Sequence, residues 1–276
     1  MICLVIIIAL LIGFLSAFVG SLVGLGGGIV LVPAMLFLYD NFSSFSWANP
    51  QAIVGISLIT MVFTGLSSTL AYYRLKRVDI KTGVIFLIGS LPGSVVGSWI
   101  NTRLETDQFS LYFGILMIII FIMMLVDREK LRKNKPLEIT DQTRTFMIDG
   151  ETHQYNITYV PAIILSFAVG LLSGLFGIGG GTISVPAMIL FFGIPVQIAI
   201  ATSMFMIFFI SIISASAHIV LGHIVWSYVL FFVIGSYIGG TVGAKTSKLF
   251  KGKTLEWILR IVIVIAAIRL IIESFH

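Results

Sequence analysis

Only one cysteine, Cys3, stands in the 276 residues, so no disulfide can close within the chain. Charge is scarce as well, since Asp, Glu, Lys and Arg together make up 11% of the sequence. No Lys or Arg precedes Arg74. The N-terminal stretch MICLVIIIALLIGFLSAF therefore lacks the basic start of a secretory signal and is expected to be an uncleaved first span. Neither a Walker loop nor zinc-type Cys/His spacing occurs, and the apolar runs hold no Asp or Glu relay. These absences disfavour nucleotide-, metal- and acid/base-driven enzymes, including an intramembrane one.

What is present is apolar. Hydrophobic residues make up 58% of the chain and the mean hydropathy is +1.09, outside the range of soluble domains. A spanning helix needs ~20 mostly apolar residues. Such runs occur near 2–23, 51–72, 83–101, 109–126, 160–176, 197–221, 226–244 and 255–272. The fold class expected is an all-α polytopic membrane protein. The net charge of +5 comes from basic residues in short loops between spans, so it speaks for topology and not for nucleic acid.

The chain also repeats itself. VGLGGGIVLVPAM at 23–35 matches FGIGGGTISVPAM at 176–188, with glycines, proline and Ala-Met in register at an offset of 153. Seven extra residues in loop 39–50 shift the offset to 146, and Gln51, Ser57, Ser68 and Tyr72 then meet Gln197, Ser203, Ser214 and His218. The ladder Gly89, Gly93, Gly97 meets Gly235, Gly239, Gly243. This GxxxG-type spacing is expected to serve helix packing. The division that follows is a first transmembrane repeat at 1–126, a polar cytoplasmic linker at 127–158 and a second transmembrane repeat at 159–276. Within the linker, Asp149-Gly150 between β-prone stretches predicts a small hairpin outside the bilayer.

Basic residues cluster at 74–81, 128–135 and 245–253, whereas loops 39–50 and 222–226 hold no Lys or Arg. If each glycine segment turns the chain back to its starting side, all three clusters fall on one face, as the positive-inside rule asks. The repeats are then inverted, each with a re-entrant broken-helix hairpin and three transmembrane helices, and both termini lie outside. The arms 29–38 and 182–192 have ten and eleven residues. At ~1.5 Å per residue they reach about half of a ~30 Å hydrocarbon core.

A chain break at that depth is tolerated only inside protein or beside a water-filled cavity. The glycines Gly24, Gly26, Gly27, Gly28 and Gly177, Gly179, Gly180, Gly181 permit the turn. The helix N-termini after them, each carrying about half a positive charge, offer free N–H groups to an anion. Broken helices meeting near the midplane are a recurrent plan of secondary transporters. Packing alone is the competing explanation. Gln51, Ser57, Gln197, Thr202 and Ser203 join the candidate substrate site because they open the helices that follow. Ser68, Tyr72, Ser214 and His218 continue the same faces as secondary candidates, with bonding to their own helix carbonyls as the alternative for the hydroxyls. His218 raises the question of proton coupling. Arg260 is the one charge well inside an apolar run, with snorkelling as its alternative.

GLGGGIVLVPAM and GIGGGTISVPAM, each followed by a Gln-initiated helix (QAIVGISL and QIAIATSM), resemble the TauE/SafE sulfite exporter family, also called the TSUP anion permeases. The resemblance covers both halves and leaves out linker 127–158. It implies a non-enzymatic permease of the cell membrane that moves sulfite, organosulfonates or related sulfur anions, with no cofactor or metal. Where that family commonly reads Gly-Thr-Ser, this chain has Gly55-Ile56-Ser57 and Ala201-Thr202-Ser203, so Ile56 cannot donate where Thr202 can. The competing class is a membrane scaffold that docks a soluble protein through the linker.

Overall fold

A computed structural model describes residues 2–125, 143–148 and 151–250, together with 254, 257, 258, 261 and 264. Arg260 and the Asp149-Gly150 turn lie outside the described residues. The chain runs α1 (Ile2–Val23), α2 (Gly28–Asn41), α3 (Pro50–Arg74), α4 (Ile80–Asn101) and α5 (Thr106–Leu125). Strands β1 (Thr143–Ile148) and β2 (Glu151–Asn156) follow, then α6 (Tyr159–Phe176), α7 (Gly181–Phe192), α8 (Val196–Val220) and α9 (Trp226–Ser247). Among the described residues, six helices are long and apolar enough to cross a membrane: α1, α3, α4, α6, α8 and α9. The protein is a multi-pass helical membrane protein.

Local chemistry sets the boundaries. Asn49 caps α3 by accepting from the Ala52 N–H at 2.9 Å, with Pro50 at the first helical position, where its missing N–H is not needed. Asp79 caps α4 through the Thr82 N–H at 3.2 Å. Both α2 and α7 begin at a left-handed glycine, Gly27 at φ 104° and Gly180 at φ 71°, a conformation that costs other L-residues energy. Helix α2 is longer than the expected arm 29–38. It continues to Asn41, whose side-chain amide donates to the Phe37 carbonyl at 2.9 Å. At ~1.5 Å per residue its 14 residues reach ~21 Å, still short of a full span.

The glycine ladders join the two halves. A Cβ on Gly89, Gly93 or Gly97 would strike the carbonyl oxygens of Ile163, Phe167 and Leu171 on α6, so α4 and α6 lie backbone to backbone and parallel. The second ladder is equivalent: Gly235, Gly239 and Gly243 face the carbonyls of Leu10, Phe14 and Phe18, pairing α9 in parallel with α1. Helix α3 pairs in parallel with α9, Gly55 standing beside Ile224 and Gly240 beside Ser67 and Ser68. Lipid tails are as apolar as leucine, so close backbone approach supplies the dispersion and Cα–H contacts that hold such pairs. Outward faces carry Ile7, Leu11, Leu15, Ile88, Val95 and Trp99, all exposed, while Ser90, Ser94, Ser98 and Ser236 are fully buried. That distribution suits a lipid surround.

The linker hairpin is present, with β1 and β2 antiparallel from Thr143 opposite Asn156 to Ile148 opposite Glu151. It is anchored to the start of α4. The Tyr155 hydroxyl, fully buried, donates to Asp79 Oδ2 at 2.7 Å, and Thr82 Oγ1 donates to the same oxygen at 2.5 Å. Burial and the adjacent Asp79 carboxylate push the Tyr155 phenol above its ordinary range, which keeps the donor proton in place. The Asp79 N–H in turn donates to Thr202 Oγ1 at 3.0 Å, so the hairpin, α4 and α8 are bonded in series.

The ladder contacts predict that Gly239→Val lowers thermal stability, at the upper end of the ~1–3 kcal/mol typical of overpacking, because the facing group is backbone. Val242→Leu on the exposed side of the same helix leaves the melting temperature of the purified protein unchanged.

Candidate functional site

Helices α3 and α8 have 25 residues each, and their twelfth residues, Met61 and Ile207, are equivalent under the 146-residue offset. Both glycine turns come to these two side chains. A Cβ on Gly26 would lie 3.1 Å from Ile207 and 3.4 Å from the Met61 sulfur, and one on Gly179 would strike that sulfur. The turns also meet each other. A Cβ on Gly28 would collide with the Gly177 carbonyl, and one on Gly181 with the Gly24 carbonyl. Close backbone approach is therefore what these two positions require of glycine, in addition to the positive φ at the others.

Two serines fasten the pair crosswise. Ser57 Oγ donates to the Gly177 carbonyl at 2.6 Å, and Ser203 Oγ lies 2.7 Å from the Gly24 carbonyl and 2.8 Å from that of Ile200. Each half thus satisfies a broken-backbone carbonyl of the other. All eight glycines, Ser57, Thr202 and Ser203 are buried. The expected hydroxyl donors Ser57 and Ser203 are spent on these carbonyls, and Thr202 Oγ1 accepts from Asp79. At the turns themselves, backbone is also left without an intrahelical partner. The first amides of α2 and α7 have no carbonyl one turn back within their own helix, and glycine as N-cap has no side chain to serve them.

Other candidates are placed as follows. Gln51 Nε2 donates to the Leu104 carbonyl at 2.9 Å and ties α3 to the loop before α5, while Gln197 is half-buried at the start of α8. Ser68 Oγ donates to Ser21 Oγ at 2.7 Å, Ser21 Oγ to the Gly240 carbonyl at 2.8 Å, and the Tyr72 hydroxyl to the Ser21 carbonyl at 2.8 Å. In the second half the matching stripe is different. Ser214 and Ser211 are buried without a hydrogen-bond partner among the described residues. His218 Nε2 stands 3.2 Å from the Gly174 carbonyl, which can only accept, so Nε2 carries the hydrogen. His218 Nδ1 then accepts from His223 Nδ1, 2.8 Å away. Ser21, Asp79, Tyr155 and His223 escaped the sequence reasoning because none has a like residue at the repeat-equivalent position. Asp79, directly before a helix start, carried the one usable signal.

Two broken helices meeting inside a helical bundle are a plan found in many membrane transporters, and similarity to known proteins points to the same class. Residues 9–270 match the family described as sulfite exporter TauE/SafE, and the chain belongs to that family. It is 42% identical over 271 residues to the probable membrane transporter protein YunE of Bacillus subtilis, covering 97% of this chain and 98% of the relative. A probable membrane transporter protein of Xylella fastidiosa is 25% identical over 266 residues, 95% of this chain and 94% of that protein. Another, ORF9 of a Sinorhizobium species, is 25% identical over 95% of this chain and 91% of its own length. No solved structure matches the chain significantly.

The crosswise bonds predict that Ser57→Ala and Ser203→Ala each destabilise the protein by about 1–3 kcal/mol, the usual effect of leaving a buried carbonyl unpaired. Thermal unfolding in detergent measures it, and the double variant shows whether the two bonds support each other. Burial lowers the affinity of the His223 imidazole for a proton. The unfolded chain therefore takes up that proton first, and stability is present at neutral pH and falls as pH drops through the ordinary imidazole range. In His223→Gln, melting temperatures at pH 7.5 and about 5.5 differ less than in the wild type.

Proposed function

We propose that this protein is a secondary transporter of a small anion, a sulfite, an organosulfonate or a related sulfur oxyanion, bound near the midplane between the two glycine hairpins. The observation that carries this reading is the meeting of two buried, glycine-capped helix N-termini at the midpoints of α3 and α8. Each end supplies free N–H groups and about half a unit of positive charge. Together they complement one negative group without placing a Lys or Arg at that depth. The family name, which refers to sulfite export, supports the sulfur chemistry.

In this reading the repeats are inverted, with 127–158 as a cytoplasmic linker and both termini outside the cell membrane. Helix directions support it. Helices α1, α3 and α9 pair in parallel, and α4 pairs in parallel with α6 and, through Asp79–Thr202, with α8. The loops 75–79 and 221–225 are five residues long and reverse the chain between α3 and α4 and between α8 and α9. Helix α1 and its counterpart α6 then run oppositely, as do α3 and α8. Lys76 and Lys248 come to the same end, because α3 and α9 run in parallel and each lysine lies just past the C-terminus of its helix. A bundle with six span-length apolar helices and broken helices meeting inside it suits a permease.

Flux in proteoliposomes tests the function, across sulfite, sulfate, thiosulfate, sulfoacetate, taurine and chloride, with and without a pH gradient. At least one sulfur anion is expected to move, and Gly27→Leu or Gly180→Leu to abolish its flux. Movement of none, with those variants altering folding alone, overturns the reading. Cysteines placed at 76, 132 and 250 in a Cys3→Ser background should all label from one side. Labelling of position 250 from the other side would refute the inverted arrangement.

A further inference from the structure

The two hairpins match in backbone and differ in what surrounds their helix starts. At α2 the N-cap is closed by main chain. A Cβ on Gly27 would sit 2.9 Å from the Ser16 carbonyl oxygen, and Gly20 packs directly against the Gly27 amide. The first helical residue faces a carbonyl at both hairpins, Gly177 beside Gly28 and Gly24 beside Gly181, so the two differ at the N-cap. At α7 the N-cap meets side chains instead: the corresponding position on Gly180 is 3.0 Å from Val169 Cγ1, 3.5 Å from Ile210 Cδ1 and 3.7 Å from Ser173 Cβ.

The hydroxyls differ too: Ser16 beside Gly27 donates to the Gly13 carbonyl at 3.2 Å, whereas those beside the second N-cap are unbonded among the described residues. Ser173 and Thr182 are both fully buried, and among the described residues neither hydroxyl has a hydrogen-bond partner. Thr182 is the second residue of α7, in the turn whose amides have no acceptor within the helix. Ser173 stands on α6 against the N-cap itself. Their counterparts at the offset of 153 are Gly20 and Ile29, neither of which can donate through a side chain. Buried polar groups are normally bonded, so an unpartnered pair at an uncapped helix start asks for an acceptor.

We propose that the anion is seated at the second hairpin alone, its oxygens accepting from the first amides of α7 and from the Thr182 and Ser173 hydroxyls. This seat rests on the reading of the protein as an anion permease. The first hairpin is its structural counterpart, pressing the Gly24 carbonyl region onto Gly181 and receiving the Ser203 bond. The ligand class is an oxyanion with several equivalent oxygens, such as a sulfonate or sulfite. Amides and hydroxyls together offer the convergent, charge-assisted donors that such a group takes.

The test uses the full-length protein purified in detergent, with sulfite, sulfoacetate, sulfate, thiosulfate and taurine as probes, and reads thermal stabilisation against anion concentration. A probe that the wild type transports should stabilise it. Thr182→Val and Ser173→Ala should raise the half-saturating concentration of that probe about tenfold. Without anion their melting temperatures should equal or exceed the wild type's, because removing an unpartnered hydroxyl leaves no bond broken. Ile29→Val at the first hairpin should leave the half-saturating concentration unchanged while its lost buried methyl lowers the melting temperature. Half-saturation within about twofold of wild type in both variants would overturn the seat and leave the transport reading standing. A loss of melting temperature without anion, with affinity kept, would overturn it too by assigning the hydroxyls to packing. If no probe stabilises the wild type or moves across proteoliposomes, the transport reading falls and the seat falls with it.

Discussion

Peptide groups cannot be left unpaired where water is absent, and the centre of this protein is arranged around two places where the helical pairing stops. Four glycine positions in each half let the chain turn back within the bundle, which frees carbonyls and amides at once. The carbonyls of Gly24 and Gly177 are answered by serines from the opposite half. The amides at the starts of α2 and α7 have no such answer. With those two carbonyls bonded and the first amides of each helix lacking an acceptor within it, the positive end of each helix dipole is left at the turn, which is the asymmetry the proposed binding role rests on.

The same cross-half logic governs the rest of the bundle. Each glycine ladder packs against the first helix of the other repeat, and each serine bonds the other repeat's turn. Neither half contains the partner surface that its own ladder requires, so the duplicated sequence encodes one interlocked unit and not two lobes. Small residues act here as they do in membrane helix pairs generally, by allowing backbone contact where no hydrophobic driving force exists.

Much of this was legible in the residues. Eight glycines, two prolines and the ladders stand out because glycine in an apolar helix needs a reason, and duplication at fixed offsets made each reason visible twice. The ladder helices, the break points and the linker strands followed from local chemistry. Partners did not. Ser57 and Ser203 looked like ligand donors, and only the fold places an acceptor carbonyl from the other repeat within reach. Ser68 and Tyr72 turn out to be bonded to Ser21 and Gly240, more than forty positions away in sequence. Tyr155 finding Asp79 across 76 positions has no local signature either. Residues whose role depends on a long-range acceptor cannot be sorted by spacing, nor can one such as Thr182, whose hydroxyl has no partner among the described residues.

Partial charges have a consequence for transport that a lysine or arginine would not share. A fixed cation at the centre of a bundle is costly to bury, and once paired with a desolvated anion it holds that anion strongly. Carriage across a membrane requires binding that is favourable enough to strip water and weak enough to let go. Amides held by helix geometry and hydroxyls held by packing need no reorganisation and carry no full charge, so they meet both conditions. They also depend on distances of a few tenths of an ångström. In the proposed seat, Ser173 on α6 and the amides of α7 belong to different helices, so a rotation of one against the other would remove a donor and weaken the hold on the anion.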